Sequence, residues 1–132
     1  IVYPDIIHWN NGLWDTSIVC EEDGPFTPIP EYLDYMYKIL RELRKVTNKI
    51  IFATTTPVKP DNPNQKNYII TEYNKAIVEM MLREGVVVND LNALVSQDLD
   101  KYLSEDNIHL SDEGKRMCGN AVANCIREIS KL

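Results

Sequence analysis

Apolar positions along this chain fall into two alternating kinds of run. Three are short and nearly continuous: residues 1–9, Ile-Val-Tyr-Pro-Asp-Ile-Ile-His-Trp; 50–54, Ile-Ile-Phe-Ala-Thr; and 86–90, Val-Val-Val-Asn-Asp. Their lengths and β-branched content predict buried strands, the third buried on both faces. Between and after them the apolar residues recur at helical spacing. Residues 31–46 carry Leu33, Met36, Tyr37, Leu40 and Leu43 on one side and Lys38, Arg41, Glu42 and Lys45 on the other. A second stripe over 67–84 holds Ile70, Tyr73, Ala76, Ile77, Met80 and Met81, and Gly85 follows as its stop. A third begins after Ser111 as N-cap and presents Met117, Ala121, Val122, Cys125 and Ile129, with a short helix or turn expected over 90–103. Strand, helix, strand, helix, strand, helix predicts a parallel sheet in a three-layer α/β/α sandwich, with residues 1–132 as a single domain. Sheets of this kind usually hold about five to six strands, so one or two N-terminal strands are expected to lie outside this chain.

Composition narrows the function more than the fold. With 20 acidic and 14 basic residues the net charge is −6, which argues against nucleic acid or an anionic membrane surface as partner, since both select a basic face. A small neutral substrate is compatible. No apolar run approaches the length of a bilayer span. Cys20, Cys118 and Cys125 are odd in number and lack CxxC spacing, so neither a disulfide framework nor a metal site is expected; free thiols fit a reducing, cytoplasmic setting. The chain opens at Ile1 without Met, which reads as a truncated or processed start and leaves secretion open.

The candidate chemistry lies near the C-terminus, in Asp106-Asn107-Ile108-His109-Leu110-Ser111. A carboxylate three residues before a histidine, in a loop, can fold back to accept the imidazole Nδ1–H, fixing the tautomer and leaving Nε2 as a general base. A surface loop capping a helix is the structural alternative. The second candidate is the turn Asn10-Asn11-Gly12 at the end of the first strand. Turn chemistry alone explains it; an oxyanion hole built from an amide N–H₂ and a glycine N–H is the functional reading. His8, Trp9 and Trp14 are expected in core or wall positions, Asp15 as a loop anchor, and Thr54 to Thr56 either as hydrogen-bonding groups for a ligand or, equally, as caps at a strand end. Two histidines and scattered cysteines make no metal set.

Taken together, these segments resemble the SGNH/GDSL hydrolases. Pro-Asp-Ile-Ile-His-Trp-Asn-Asn-Gly-Leu-Trp-Asp is similar to the family's third signature block, and Asp106-x-x-His109 to its last. Ile-Phe-Ala-Thr-Thr-Thr-Pro-Val, Tyr73-Asn74 with Ala76, and Val88-Asn89-Asp90-Leu91 resemble the segments between. The resemblance implies a flavodoxin-like sandwich and a serine hydrolase cleaving a carbohydrate O-acetyl or short acyl ester, with His109 as base, Asp106 as its orienting acid, and no metal or organic cofactor. Two departures stand out. Trp14 occupies the place of the family's asparagine in Gly12-Leu13-Trp14-Asp15, so the oxyanion amide falls to Asn10 or Asn11, with Asn10 slightly favoured. The family's Gly-Asp-Ser nucleophile block and second glycine block do not occur here; Ser17, Ser96, Ser104, Ser111 and Ser130 lack that context. The expectation is a C-terminal part of a longer hydrolase, inactive alone, whose nucleophile was removed or sits on a separate N-terminal chain. The alternative is a non-catalytic α/β module that binds a sugar or acyl group.

Overall fold

The computed structural model describes residues 3–132. Three parallel strands, β1 (Ile7–Trp9), β2 (Ile50–Ala53) and β3 (Val87–Asn89), pair in the order β1-β2-β3. The long helices α1 (Ile29–Leu43) and α2 (Asn67–Arg83) connect them. The short helices α3 (Leu91–Val95) and α4 (Leu99–Tyr102) lead to the final helix α5 (Asp112–Ser130).

The register assigns the faces. Ile7 is level with Ile50, and Trp9 with Phe52 and Val88. These five residues point to one face, where they pack with Tyr32, Met36 and Leu40 of α1 and Ile69, Tyr73, Ile77, Met80 and Met81 of α2. Because side chains alternate along a strand, His8, Ile51, Ala53, Val87 and Asn89 occupy the other face. There Val87 shares a crevice with Cys125, Ile129 and Leu132 of the α5 end. A smaller cluster of Val95, Leu103 and Cys118 joins α3, α4 and α5. The result is the expected three-layer α/β/α arrangement, with its larger core on the α1–α2 side.

Five local expectations are corrected. The first run is not a nine-residue buried strand: pairing begins with Ile7 N–H donating to the Lys49 carbonyl at 2.9 Å, and β1 is only half-buried. Pro4 has no N–H to give a ladder, and the Asp5 carbonyl accepts from the Thr47 hydroxyl instead. Residues 1 and 2 of that predicted strand lie outside the described residues. Helix α1 starts two residues early, because Pro30 sits where a first-turn proline costs no hydrogen bond. It stops at Leu43, where Arg44 turns to pair with Glu84 at 2.8 Å and ties the C-terminal ends of α1 and α2 together. Its buried stripe runs through Tyr32, with Tyr37 exposed. Finally, β3 is an edge strand, so Val87 is 39% exposed rather than buried on both sides, and the α5 stripe from Met117 to Cys125 is only half-buried. Gly85 is the helix stop that was expected, with φ +72°.

Candidate active site

The Asp106–His109 loop is a closed structure built from its own neighbours. Leu103 and Leu110 form an antiparallel bridge across its base, Ser104 N–H donates to the His109 carbonyl at 2.7 Å, and Ser111 N–H donates to the Tyr102 carbonyl at 2.9 Å. Asn107 takes φ +70° at the tip, a conformation asparagine tolerates better than most residues. Ser111 caps α5 by accepting from Gly114 N–H at 3.1 Å while its own hydroxyl donates to the Lys101 carbonyl at 2.6 Å. Gly114 lies flat against the Tyr102 carbonyl, where a Cβ would collide.

Within this frame Asp106 reaches back to His109. Its Oδ2 lies 2.5 Å from Nδ1, and its Oδ1 accepts from the Ser104 hydroxyl at 2.7 Å and from the N–H groups of His109 at 2.9 Å and Ile108 at 3.1 Å. The Ser104 hydroxyl first, then the two N–H groups and the imidazole, hold the Asp106 carboxyl well below the usual carboxylate range. A carboxylate only accepts, so Nδ1 carries the proton and Nε2 keeps its lone pair. The His109 side chain is 78% exposed, and no hydrogen bond engages its Nε2 among the described residues. An oriented imidazole with a free basic nitrogen is equipped to take a proton from an approaching hydroxyl.

The Asn10–Gly12 turn is assembled from distant parts. Asn10 Nδ2 donates to the carbonyl of Ala53, the last residue of β2, at 2.8 Å, and the residue is otherwise exposed, with its second amide N–H uncommitted. The Asn11 side-chain oxygen accepts from the Trp9 indole N–H at 2.7 Å, and its backbone carbonyl accepts from the Tyr32 hydroxyl at 2.8 Å. Gly12 is pressed against this scaffold: a Cβ there would stand 2.5 Å from Thr55 Oγ1 and 2.9 Å from the Tyr32 hydroxyl. Thr55 is fixed in turn by buried Asn74, which accepts from its N–H and donates to its carbonyl, both at 2.9 Å. Asn92 adds a second donor to that carbonyl at 2.8 Å.

Both features are tied to β2 or to the segment that follows it. The turn rests on Ala53 and Thr55, and the loop docks through Asn107, whose carbonyl accepts from Lys59 N–H at 3.0 Å. The carboxyl edge of an open parallel sheet is where ligands bind.

Other candidates resolve into structure. His8 is half-buried beside Asn89, whose amide lies 3.2 Å from its Nε2; burial lowers its pKa. Thr54 donates to Asp90 at 2.8 Å as a strand-end cap. Trp9 packs edge-on against Phe52, centroids 5.3 Å apart. Trp14 departs from expectation: it is 79% exposed, not core or wall. Each serine hydroxyl is held by another partner: Ser17 near Leu13 and Gln65, Ser96 by Asn92, Ser104 by Asp106, Ser111 as the cap, and Ser130 by Arg127. Tyr32 was not singled out from sequence, Ser104 was weighed only as a nucleophile, and Thr55 only within the Thr54 to Thr56 run. A serine two residues before a loop aspartate, and Asn74 inside an apolar helical stripe, are the signals that mark this support in the sequence.

A parallel sheet between helical layers, with an aspartate-oriented histidine in the loop before the last helix, is the arrangement of the SGNH fold. The comparisons agree. The model of the GDSL-like Lipase/Acylhydrolase family matches residues 10–117, and the chain belongs to that family. Among curated proteins it is similar to the GDSL esterase/lipase CPRD49 of Arabidopsis thaliana, 28% identical over 120 residues covering 80% of this chain and 47% of that protein. It is also similar to the GDSL esterase/lipase WDL1 of Oryza sativa subsp. japonica, 26% identical over 120 residues, covering 80% of this chain and 46% of that protein. The chain thus spans about half the length of the curated relatives it matches. Among solved structures it resembles a lipase/acylhydrolase from Enterococcus faecalis, with TM-score 0.78 and 17% identity, covering 97% of this chain and 62% of that one. The acetylxylan esterase Axe2 from Geobacillus stearothermophilus gives TM-score 0.70 at 16% identity, covering 94% and 60%. At these identities the structural likeness speaks for the fold.

Proposed function

We propose that this chain supplies the acid, the base and part of the oxyanion hole of a serine ester hydrolase, acting on a carbohydrate O-acetyl or short acyl ester, whose nucleophilic serine lies outside these 132 residues. The observation that carries the reading is the 2.5 Å contact between Asp106 Oδ2 and His109 Nδ1, with Nε2 uncommitted. The structural engagement of all five serine hydroxyls supports a nucleophile from elsewhere, and the acetylxylan esterases among the structural neighbours support the substrate class.

In the reaction, His109 Nε2 takes the proton as the serine oxygen bonds to the ester carbonyl carbon, and the carbonyl π electrons move to oxygen. The uncommitted N–H of Asn10 and the N–H of Gly12 face that oxyanion; one such donor is worth about 2.7–4 kcal/mol. Asp106 stabilises the imidazolium without taking its proton. Collapse expels the alcohol, which receives the proton from His109. Water then repeats the sequence on the acyl-enzyme, releasing the carboxylic acid and the free serine.

The test is intact mass spectrometry of the protein expressed from its complete gene, before and after a fluorophosphonate. One adduct per molecule, abolished by His109→Ala, is the expected result. No adduct, or one that His109→Ala leaves undiminished, overturns the reading. The exposed Trp14 favours one other reading, a module that binds a sugar without cleaving it; such a module gives no adduct and binds an acetylated xylo-oligosaccharide without releasing acetate.

A further inference from the structure

Three of the four donors on Asp106 converge on one oxygen. Two of them, the N–H groups of Ile108 and His109, arise in any aspartate that folds over its own following turn. The third is a side chain that precedes the aspartate: Ser104 Oγ, 2.7 Å from Oδ1. Asp106 is half-exposed. The final torsion of an aspartate is broad and roughly two-fold, so a carboxylate held only by its own turn can rotate against water and carry Oδ2 away from the imidazole. A fixed donor to Oδ1 from outside that turn opposes that rotation. Ser104 is itself fixed, since its N–H donates to the His109 carbonyl at 2.7 Å, its carbonyl accepts from Asn107 N–H at 3.2 Å, and its neighbour Leu103 is buried in the bridge to Leu110.

We propose that Ser104 is a positioning residue of this site: its hydroxyl locks the Oδ1 side of Asp106 so that Oδ2 is held on His109 Nδ1. This rests on the Asp106–His109 pair acting as the acid and base described above. Ser104 touches neither substrate nor nucleophile and acts through Asp106. The same hydroxyl is the largest single influence keeping the Asp106 carboxyl ionised, which accords with a short, well-aligned hydrogen bond.

The experiment reads the hydrogen bond itself, in the protein expressed from its complete gene, so that it stands apart from any loss of esterase activity. A proton shared between His109 Nδ1 and a carboxylate at 2.5 Å gives a far-downfield proton resonance, and Asp106→Asn defines its absence. Ser104→Ala is expected to broaden or shift that resonance and to move the Asp106 carboxyl carbon titration upward, while amide signals outside residues 103–111 stay in place. The decisive pair is Ser104→Thr against Ser104→Val, which share a shape and differ in the hydroxyl: Thr retains the resonance and Val loses it. Equal spectra for Thr and Val, whatever Ser104→Ala does to folding, overturn the proposal. In the complete enzyme, Ser104→Val is expected to lower kcat about tenfold or more relative to Ser104→Thr at similar KM, the effect of losing one hydrogen bond to a charged group. Absence of a fluorophosphonate adduct on the wild-type enzyme would defeat the esterase reading while leaving the resonance comparison intact.

Discussion

The two halves of the candidate site are built in opposite ways. The Asp106–His109 loop draws nearly all its bonds from residues 102–111, with one outside tie at Lys59. The Asn10–Gly12 turn has two local bonds, from the Trp9 indole to the Asn11 side chain and from Thr16 N–H to the Gly12 carbonyl. The rest of its support comes from Ala53 at the end of β2, Thr55 just beyond it, Tyr32 on α1, and Asn74 and Asn92 behind Thr55. The loop is local and open to water, whereas the turn is long-range and backed by the core. A base must meet a mobile proton, and an exposed imidazole with one fixed partner can do so. An oxyanion donor contributes only if it is already in place when charge develops, which asks for a scaffold that does not yield.

Substitutions separate the two. The largest effect expected is that of His109→Ala on hydrolysis by the complete enzyme, a fall of about 10⁴-fold or more in kcat, comparable to removing one member of a catalytic triad. Its thermal midpoint should be unchanged, since the side chain is exposed and closes no core contact. Gly12→Ala should reverse the pattern. Its Cβ meets Thr55 Oγ1 and the Tyr32 hydroxyl, and overpacking of this kind costs about 1–3 kcal/mol. A urea midpoint lowered together with activity is the expected outcome; a wild-type midpoint would show that the turn is softer than its contacts imply. Tyr32→Phe is milder. It removes the donor to the Asn11 carbonyl and keeps the ring, at a cost of about 0.5–1.5 kcal/mol, and it should lower kcat with little change in KM.

The same contrast decides what could be read from the chain. The Asp–His pair was legible because its partners lie three residues apart and Ser111 announces the helix that follows. The three-layer order was legible from the alternation of continuous and helical apolar runs. The support of the turn was not, because Tyr32 and Thr55 meet Asn11 and Gly12 across intervals of 20 to 43 residues, and Asn74 backs Thr55 from further along the chain, separations that no local period records. Tyr37 rather than Tyr32 was assigned to the core of α1 since the helix was started at 31, and the first strand was overextended through Pro4, whose missing N–H ends the ladder. Val87 was placed inside on its β-branched character, which describes a fit to pleated surfaces and does not distinguish a central strand from an edge. Trp14 shows the reverse error: size alone suggested burial, and a turn held by Thr16 and Ser17 presents it to water instead.

The smallest effect expected is a difference in acid sensitivity. The Asp106 carboxyl titrates below its ordinary 3.8 in the folded chain, chiefly through the Ser104 hydroxyl. A carboxyl with a depressed folded pKa contributes stability that is fully present above the unfolded value and lost as pH falls through the folded one. Acid below about pH 4 should therefore loosen this loop. The turn has no such handle, because the side chains it bonds or packs against, Trp9, Tyr32 and Thr55, carry no group that titrates in that range. His8 acts earlier and elsewhere: burial lowers its pKa, so the folded state resists its protonation, and the sheet loses stability as pH falls below the ordinary histidine value of 6.5. Following amide shifts from pH 7 to 2 separates the events. Signals near His8 and Asn89 should respond above the acid range, the Ile108 amide should follow the Asp106 carboxylate within it, and Asn11 and Gly12 should hold until the chain unfolds as a whole. Movement of Asn11 and Gly12 in step with Ile108 would mean that loop and turn are one cooperative unit, joined through Lys59 and the end of β2, and that the local character of the loop ends at its hydrogen bonds.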